Sequence, residues 1–247
     1  MSEWGAETPA YLRVAADLRR RIESGELAPG AKIPSVTVMA SEYKVAGTTA
    51  QKAVRTLKAA GFVTSEPGKG VFVRDRRRTK VKSADYVSPV PDDGRVPHLR
   101  STQLAVEEVA PPDDIAEILG LDPGELAVQR SRVMATRDDA EQPVEIVVSY
   151  FPVDIARGTE LASVAAIRGA VPSALRRLGL PPRSASETVE CRMPTTVEAS
   201  TLGLPASVPV LHIVRTTRTD GDRVVEVLDM VFAGDRYQLE YDLAVHE

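Results

Sequence analysis

The chain has 247 residues, 43% of them apolar and 27% charged, which excludes general disorder and leaves room for two modest domains, each with its own core. No apolar run approaches the ~18 residues of a membrane span, and the opening MSEWGAETPAYLRVAADLRR lacks a signal peptide's apolar stretch, so the chain is expected to act in the cytoplasm with no membrane partner. A lone cysteine, Cys191, can form neither an intramolecular disulfide nor a CxxC zinc pair, and it reads as a buried apolar residue.

The net charge of −4 is unevenly spread. Residues 1–82 hold 16 basic and 8 acidic side chains, and the remainder holds 15 basic and 27 acidic. A basic segment joined to an acidic one suggests that only the first meets a polyanion. Ordinary variation of surface charge is the competing explanation.

From Pro9 to Gly25, the apolar positions Leu12, Ala15, Ala16, Leu18 and Ile22 recur at helical spacing. Gly25 stops that helix and Pro29-Gly30 marks a turn. Ser35 can cap a second helix whose Val38, Met39 and Tyr43 would face inward. A short connection leads to TTAQKAVRTLKAAG, where Ala50, Ala53, Val54 and Leu57 make the apolar stripe of a third helix ending at Gly61. Its other faces carry Thr48, Thr49, Gln51, Lys52, Arg55 and Lys58, none acidic and several able to reach phosphates or base edges. FVTSE and VFVRD, separated by PGKG, read as a β-hairpin with a basic, glycine-rich tip at Gly68, Lys69 and Gly70. Helix, helix-turn-helix and hairpin together predict a winged helix.

The stretch DRRRTKVKSADYVSPVPDDG has little periodicity and reads as a linker, so the division expected is 1–74, 75–92 and 93–247. Beyond it, strand-like runs (TQLAVEEV, LAVQRSRVMAT, PVEIVVSYF, SASETVECRM, PVLHIVRTTRT, RVVEVLDMVFA) alternate with short helical ones (DDIAEILG, SALRRLG, TTVEASTLG). Asp220-Gly221 suits a tight turn between two of the strands. About six antiparallel strands and three or more helices imply α+β rather than a doubly wound parallel sheet.

The head, through IESGELAPGAKIPS, TTAQKAV, LKAAGFV and PGKGVFV, resembles the DNA-binding domain of the GntR family. The tail, through LAVEEVAPPDDIAEILGLDPGELAVQRSRV, PVEIVVSYFP, ASTLGLPASVPVLHIVRTTRTDGDRVVEV and VFAGDRYQLEYDL, is similar to the UTRA effector domain of the HutC-type subfamily, a fold like that of chorismate lyase. The resemblance implies a transcription regulator, not an enzyme, that binds double-stranded operator DNA at inverted half-sites. It also implies that residues 93–247 bind a small-molecule effector and carry the homodimer contact.

On the head, Thr48, Thr49 and Gln51 are best placed for base edges in the major groove, with Lys52, Arg55, Lys58 and Lys69 on phosphates. Ser35 and Thr37 complete the candidate surface. Where the family pattern commonly has arginine, this chain has Thr37, Gly47 and Gln51, so the usual guanine reader is missing and Gln51 suggests a greater weight on A·T pairs. On the tail, Arg130 and Arg132 lie two apart on a predicted strand and point to one face, where they could grip a phosphate or carboxylate. By resemblance they lie near the effector pocket. Glu145, Ser149 and Phe151 on one strand, and Glu226 and Phe232 on another, also have same-face spacings; serine, glutamate and an aromatic could add hydroxyl recognition and a stacking wall. All of these could instead be exposed strand residues or ion pairs.

His98, His212 and His246 are scattered and read as structural, and no metal site, cofactor motif, nucleophile elbow or phosphate-binding loop is present in the sequence. Two other functions remain open: an enzyme or small-molecule binder carrying a basic head, and an architectural DNA binder. The sign of regulation, repression or activation, is also open.

Overall fold

A computed structural model describes residues 8–75, 79–82, 99–137, 142–205 and 207–242. The chain divides into two compact units, Met1–Arg77 with Leu204–Val208, and Arg78–Gly203 with Pro209–Glu247.

In the first unit, α1 (Ala10–Glu23), α2 (Val36–Glu42) and α3 (Gly47–Ala59) precede an antiparallel hairpin of β1 (Val63–Glu66) and β2 (Gly70–Val73). The apolar stripes meet in one core of Val14, Leu18, Met39, Ala50, Ala53, Leu57, Phe62 and Val63. Ser35 caps α2 as expected, its Oγ accepting from the Val38 amide at 3.3 Å. The helix runs out of apolar positions quickly, however. Val36, Ala40 and Tyr43 turn to the core with Met39, whereas Val38, expected inside, sits about 100° round from Met39 and is 52% exposed. Tyr43 Oη donates to Asp17 Oδ2 at 2.6 Å and ties α2 to α1. Gly61 ends α3 with φ +71°, a conformation an L side chain resists, and lets the Phe62 amide turn back to the Leu57 carbonyl at 2.9 Å. The Ile33 amide donates to the Val71 carbonyl at 2.9 Å, which docks the chain before α2 against the hairpin.

The second unit contains β3 (Thr79–Lys82), β4 (Leu99–Val109), α4 (Asp113–Leu119), β5 (Ala127–Thr136), β6 (Pro143–Pro152), α5 (Val153–Ala156) and α6 (Ala170–Arg177). There follow β7 (Ser184–Arg192), α7 (Thr196–Thr201), β8 (Val210–Arg218), β9 (Val224–Ala233) and β10 (Tyr237–Glu240). Six strands form an antiparallel sheet in the order β4-β5-β6-β9-β8-β7. The architecture is α+β, and the Asp220-Gly221 turn joins β8 to β9 with Gly221 at φ +72°.

Three features depart from expectation. The stretch read as linker contains β3, which pairs in parallel with β10, Thr79 opposite Tyr237; residues 76–78 and those from 83 on lie outside the described residues. Four residues with only Val81 apolar and no long alternation gave that strand no signature. Cys191, read as buried, is exposed, because β7 is the last strand of the sheet and stands open along most of its length. β10 itself was unforeseen.

Pairing register decides which side chains share a face. Arg130 stands opposite Ser149, Ser149 opposite Leu228, Leu228 opposite Arg215, and Arg215 opposite Glu187. One cross-strand row therefore carries two arginines, a serine and a glutamate through the middle of the sheet, three of them buried. Burying charge is costly unless it is paired, so this face is where chemistry is to be sought. On the other face, Ile115 of α4 packs with Tyr150 and Val227 in an ordinary apolar core.

Candidate DNA interface and effector pocket

Helix α3 presents Thr48, Gln51, Lys52 and Arg55 on one exposed face, with Thr49 and Lys58 flanking it and the buried Ala50, Ala53 and Leu57 opposite. No acidic residue interrupts it. The apolar stripe fixes the orientation: with Ala50, Ala53, Val54 and Leu57 turned to the core, Gln51, Lys52 and Arg55 point outward. Lys52 Nζ lies 3.9 Å from the Tyr11 ring centroid, a cation–π contact that holds the ammonium near the surface of α1. Thr37 is exposed on α2, and Ser35 is engaged in capping. At the hairpin tip Gly68 has φ +73° and Gly70 φ +133°, conformations that need glycine. Lys69 between them lies 3.1 Å from Glu66, so its charge is partly offset where it projects.

The second unit holds a cavity of about 490 Å³ against β4 and β5. Its walls are the start of β4 (Leu99 to Leu104), the side chains of Arg130, Arg132 and Met134, then Arg137, and the segment from Val164 to Val171 that enters α6. No aspartate or glutamate lines it. Arg130 is buried, and its guanidinium donates through Nη1 to the Ser163 carbonyl and through Nη2 to the Ala165 carbonyl at 2.7 Å. It thereby pins the segment that forms the opposite wall. Burial, then the like charge of Arg132, push the Arg130 guanidinium down to about 10. Arg132 is half-buried with its Nε unpartnered, and among the described residues neither it nor Arg130 forms an ion pair. Glu160 acts on Arg130 and the buried Glu226 on Arg132 from outside the lining, and on the cavity side two neighbouring cations are an arrangement that an anion relieves.

Of the seven effector residues expected from the sequence, Arg130 and Arg132 line this cavity. Ser149 and Glu226 are buried on the same sheet face behind them. Burial raises the Glu226 carboxyl, opposed by Arg132, Ser149 and Arg215. Glu145, Phe151 and Phe232 do not reach the wall. Phe151 packs with Ile155, Leu161 and Leu175, and Phe232 meets Tyr237 edge-on at 4.8 Å, with Glu145 buried opposite it across β6 and β9. Their same-face spacing is real, but their part of the sheet is sealed. Arg100, Ser101, Thr102, Gln103 and Arg137, which also line the cavity, were not among the residues expected from the sequence. Arg137 falls just past the end of β5, where strand periodicity no longer assigns a face.

His212 lies on the opposite face, with Nε2 2.8 Å from Asp229 and Nδ1 3.8 Å from Glu190, a structural position; His98 and His246 lie outside the described residues. Among the described residues no group of three or more metal-ligating side chains occurs, and no helix is long and apolar enough to cross a membrane.

Residues 94–238 match the UTRA domain, and residues 10–73 match the gntR family of bacterial regulatory proteins. The chain is 25% identical over 232 residues to the HTH-type transcriptional repressor NagR of Bacillus subtilis, covering 93% of this chain and 92% of the relative. It is 25% identical over 256 residues to an HTH-type transcriptional regulator of Streptomyces coelicolor, covering 97% and 94%. A crystal structure described as a GntR-family transcriptional regulator shares 30% identity and superposes with a TM-score of 0.62, over 97% of this chain and 99% of that one.

Proposed function

Since the chain belongs to the gntR family of bacterial regulatory proteins and carries a UTRA domain, a DNA-binding regulator and not an enzyme, we propose that it is a HutC-type repressor released by an anionic effector. In this reading residues 1–74 bind DNA, 75–92 connect, and 93–247 bind the effector and hold two copies together, in the cytoplasm where the operator lies. A homodimer would place two heads on inverted half-sites, one helical turn or a multiple apart. Thr48, Thr49 and Gln51 would read bases while Lys52, Arg55, Lys58 and Lys69 hold phosphates.

The observation that carries the effector half is the pairing of Arg130 with Arg132 in a cavity that no carboxylate lines. Such a site has unspent positive charge, and a phosphate or carboxylate is the ligand that uses it. Repression is supported by the relative NagR, itself named a repressor. Footprinting on DNA flanking the protein's own gene, with mass determination in solution, tests the DNA half. A symmetric protected site bound by a dimer is expected; a monomer protecting an unsymmetrical site, or no specific protection, contradicts it.

A further inference from the structure

A lysine from outside the β1–β2 hairpin lies across its tip. The segment before α2 runs beside β2 as a short third strand: the Gly30 amide donates to the Val73 carbonyl at 2.9 Å, the Val73 amide to the Ala31 carbonyl at 2.8 Å, and the Ile33 amide to the Val71 carbonyl at 2.9 Å. Lys32 is thereby fixed opposite Phe72. The alternate positions Ile33, Val63, Val71 and Val73 turn to the core, so Lys32 and Gly70 share the outward face. The lysine stem crosses Gly70 so closely that a Cβ there would stand 2.5 Å from Lys32 Cε and 3.1 Å from Nζ. Glycine is needed at this position for space as well as for its φ of +133°.

Lys32 is exposed and, among the described residues, forms no ion pair. Lys69 differs, since Glu66 lies 3.1 Å from its ammonium. Even when a phosphate draws Lys69 away, the Glu66 carboxylate stays at the tip and repels that phosphate. Two ammoniums and one carboxylate leave the tip one net positive charge. We propose that Lys32 is a further phosphate-binding residue of the head and supplies the wing's net positive charge, while Lys69 is balanced by Glu66. The backbone of Lys32 is tied into the sheet, so it has less freedom to lose on binding than a lysine between two glycines.

Lys32 can act in this way only if residues 1–74 bind DNA, and one titration series separates the two claims. Anisotropy titrations of the full chain would use the duplex protected beside the protein's own gene and a scrambled duplex of equal length, at several KCl concentrations. Each phosphate contact adds about 0.9 to the slope of log affinity against log salt. Lys32→Gln, which keeps most of the stem over Gly70, is expected to lower that slope by about one per bound head and to weaken both duplexes roughly fivefold per head at about 0.15 M salt. Lys32→Arg keeps the parent's slope, Lys69→Ala changes it by less than half as much as Lys32→Gln, and Glu66→Gln steepens it. A Lys32→Gln slope equal to the parent's overturns the proposal, and so does a loss in Lys69→Ala as large as that in Lys32→Gln. A parent that binds neither duplex with any salt dependence overturns DNA binding by the head itself.

Discussion

Arg215 and Glu187 face each other across β8 and β7 with side chains only 3% and 11% exposed, Nε donating to Oε1 at 2.7 Å. They close the cross-strand row that begins at Arg130, on a sheet face that also carries Arg132, Glu145 and Glu226. Removing one member of a buried pair leaves the other without its main counter-charge, at a cost of about 3–5 kcal/mol. Arg215→Ala should therefore lower the calorimetric transition of the second unit, and the Arg215→Met, Glu187→Leu double variant should recover most of the loss. A single variant that melts like the parent would show that the pair is not carrying buried charge.

Arg130 offers a second test, because its guanidinium bridges two carbonyls that a lysine ammonium reaches poorly. Arg130→Lys should keep the fold but loosen the segment from Ser163 to Ala165, seen as faster amide exchange there and weaker anion binding. Unchanged exchange in that segment would contradict the pinning role.

The helical and strand runs of the tail were legible because each alternates cleanly: Val128, Arg130, Arg132 and Met134 share one face of β5 as their spacing requires. What spacing could not supply was depth. Phe151 and Phe232 have the same periodicity as Arg130, yet α5, α6 and Tyr237 seal them, and those partners come from elsewhere in the chain. Arg137 was missed for the opposite reason, since it lies past the strand, where alternation ends. β3 and β10 are four residues each and stabilise one another, so neither announces itself alone. On the head the apolar stripe of α3 was enough, because a core on one side leaves only one direction for Gln51 and Arg55.

His212 gives the second unit a pH dependence. Its hydrogen bond to Asp229 raises the imidazole above its ordinary value, with burial opposing. A raised folded pKa means the contribution is fully present below the unfolded value near 6.5 and is lost as pH rises through the folded one. The parent should lose stability between mildly acidic and alkaline pH, and His212→Gln should flatten that dependence, followed by the melting temperature across the range. A parent and variant with parallel profiles would show that the pair does not titrate in this window.

On DNA, Gln51→Ala should change which bases are preferred at one position of each half-site in a binding selection, with a cost of about 1–3 kcal/mol. Arg55→Ala should instead weaken all sites alike and reduce the salt slope by about one per head. If Gln51→Ala selects the same operator as the parent, the weight placed on A·T pairs is wrong.

The central claim is that an anion held at Arg132 controls the head's grip on DNA. The measurement that reaches it most directly is an anisotropy titration of the protein's own operator, repeated with a cell metabolite extract fractionated on an anion exchanger, for the parent and for Arg132→Ala. The account predicts that a retained fraction releases the parent from DNA while Arg132→Ala stays bound. Release of both proteins alike, or of neither by any fraction, would contradict it.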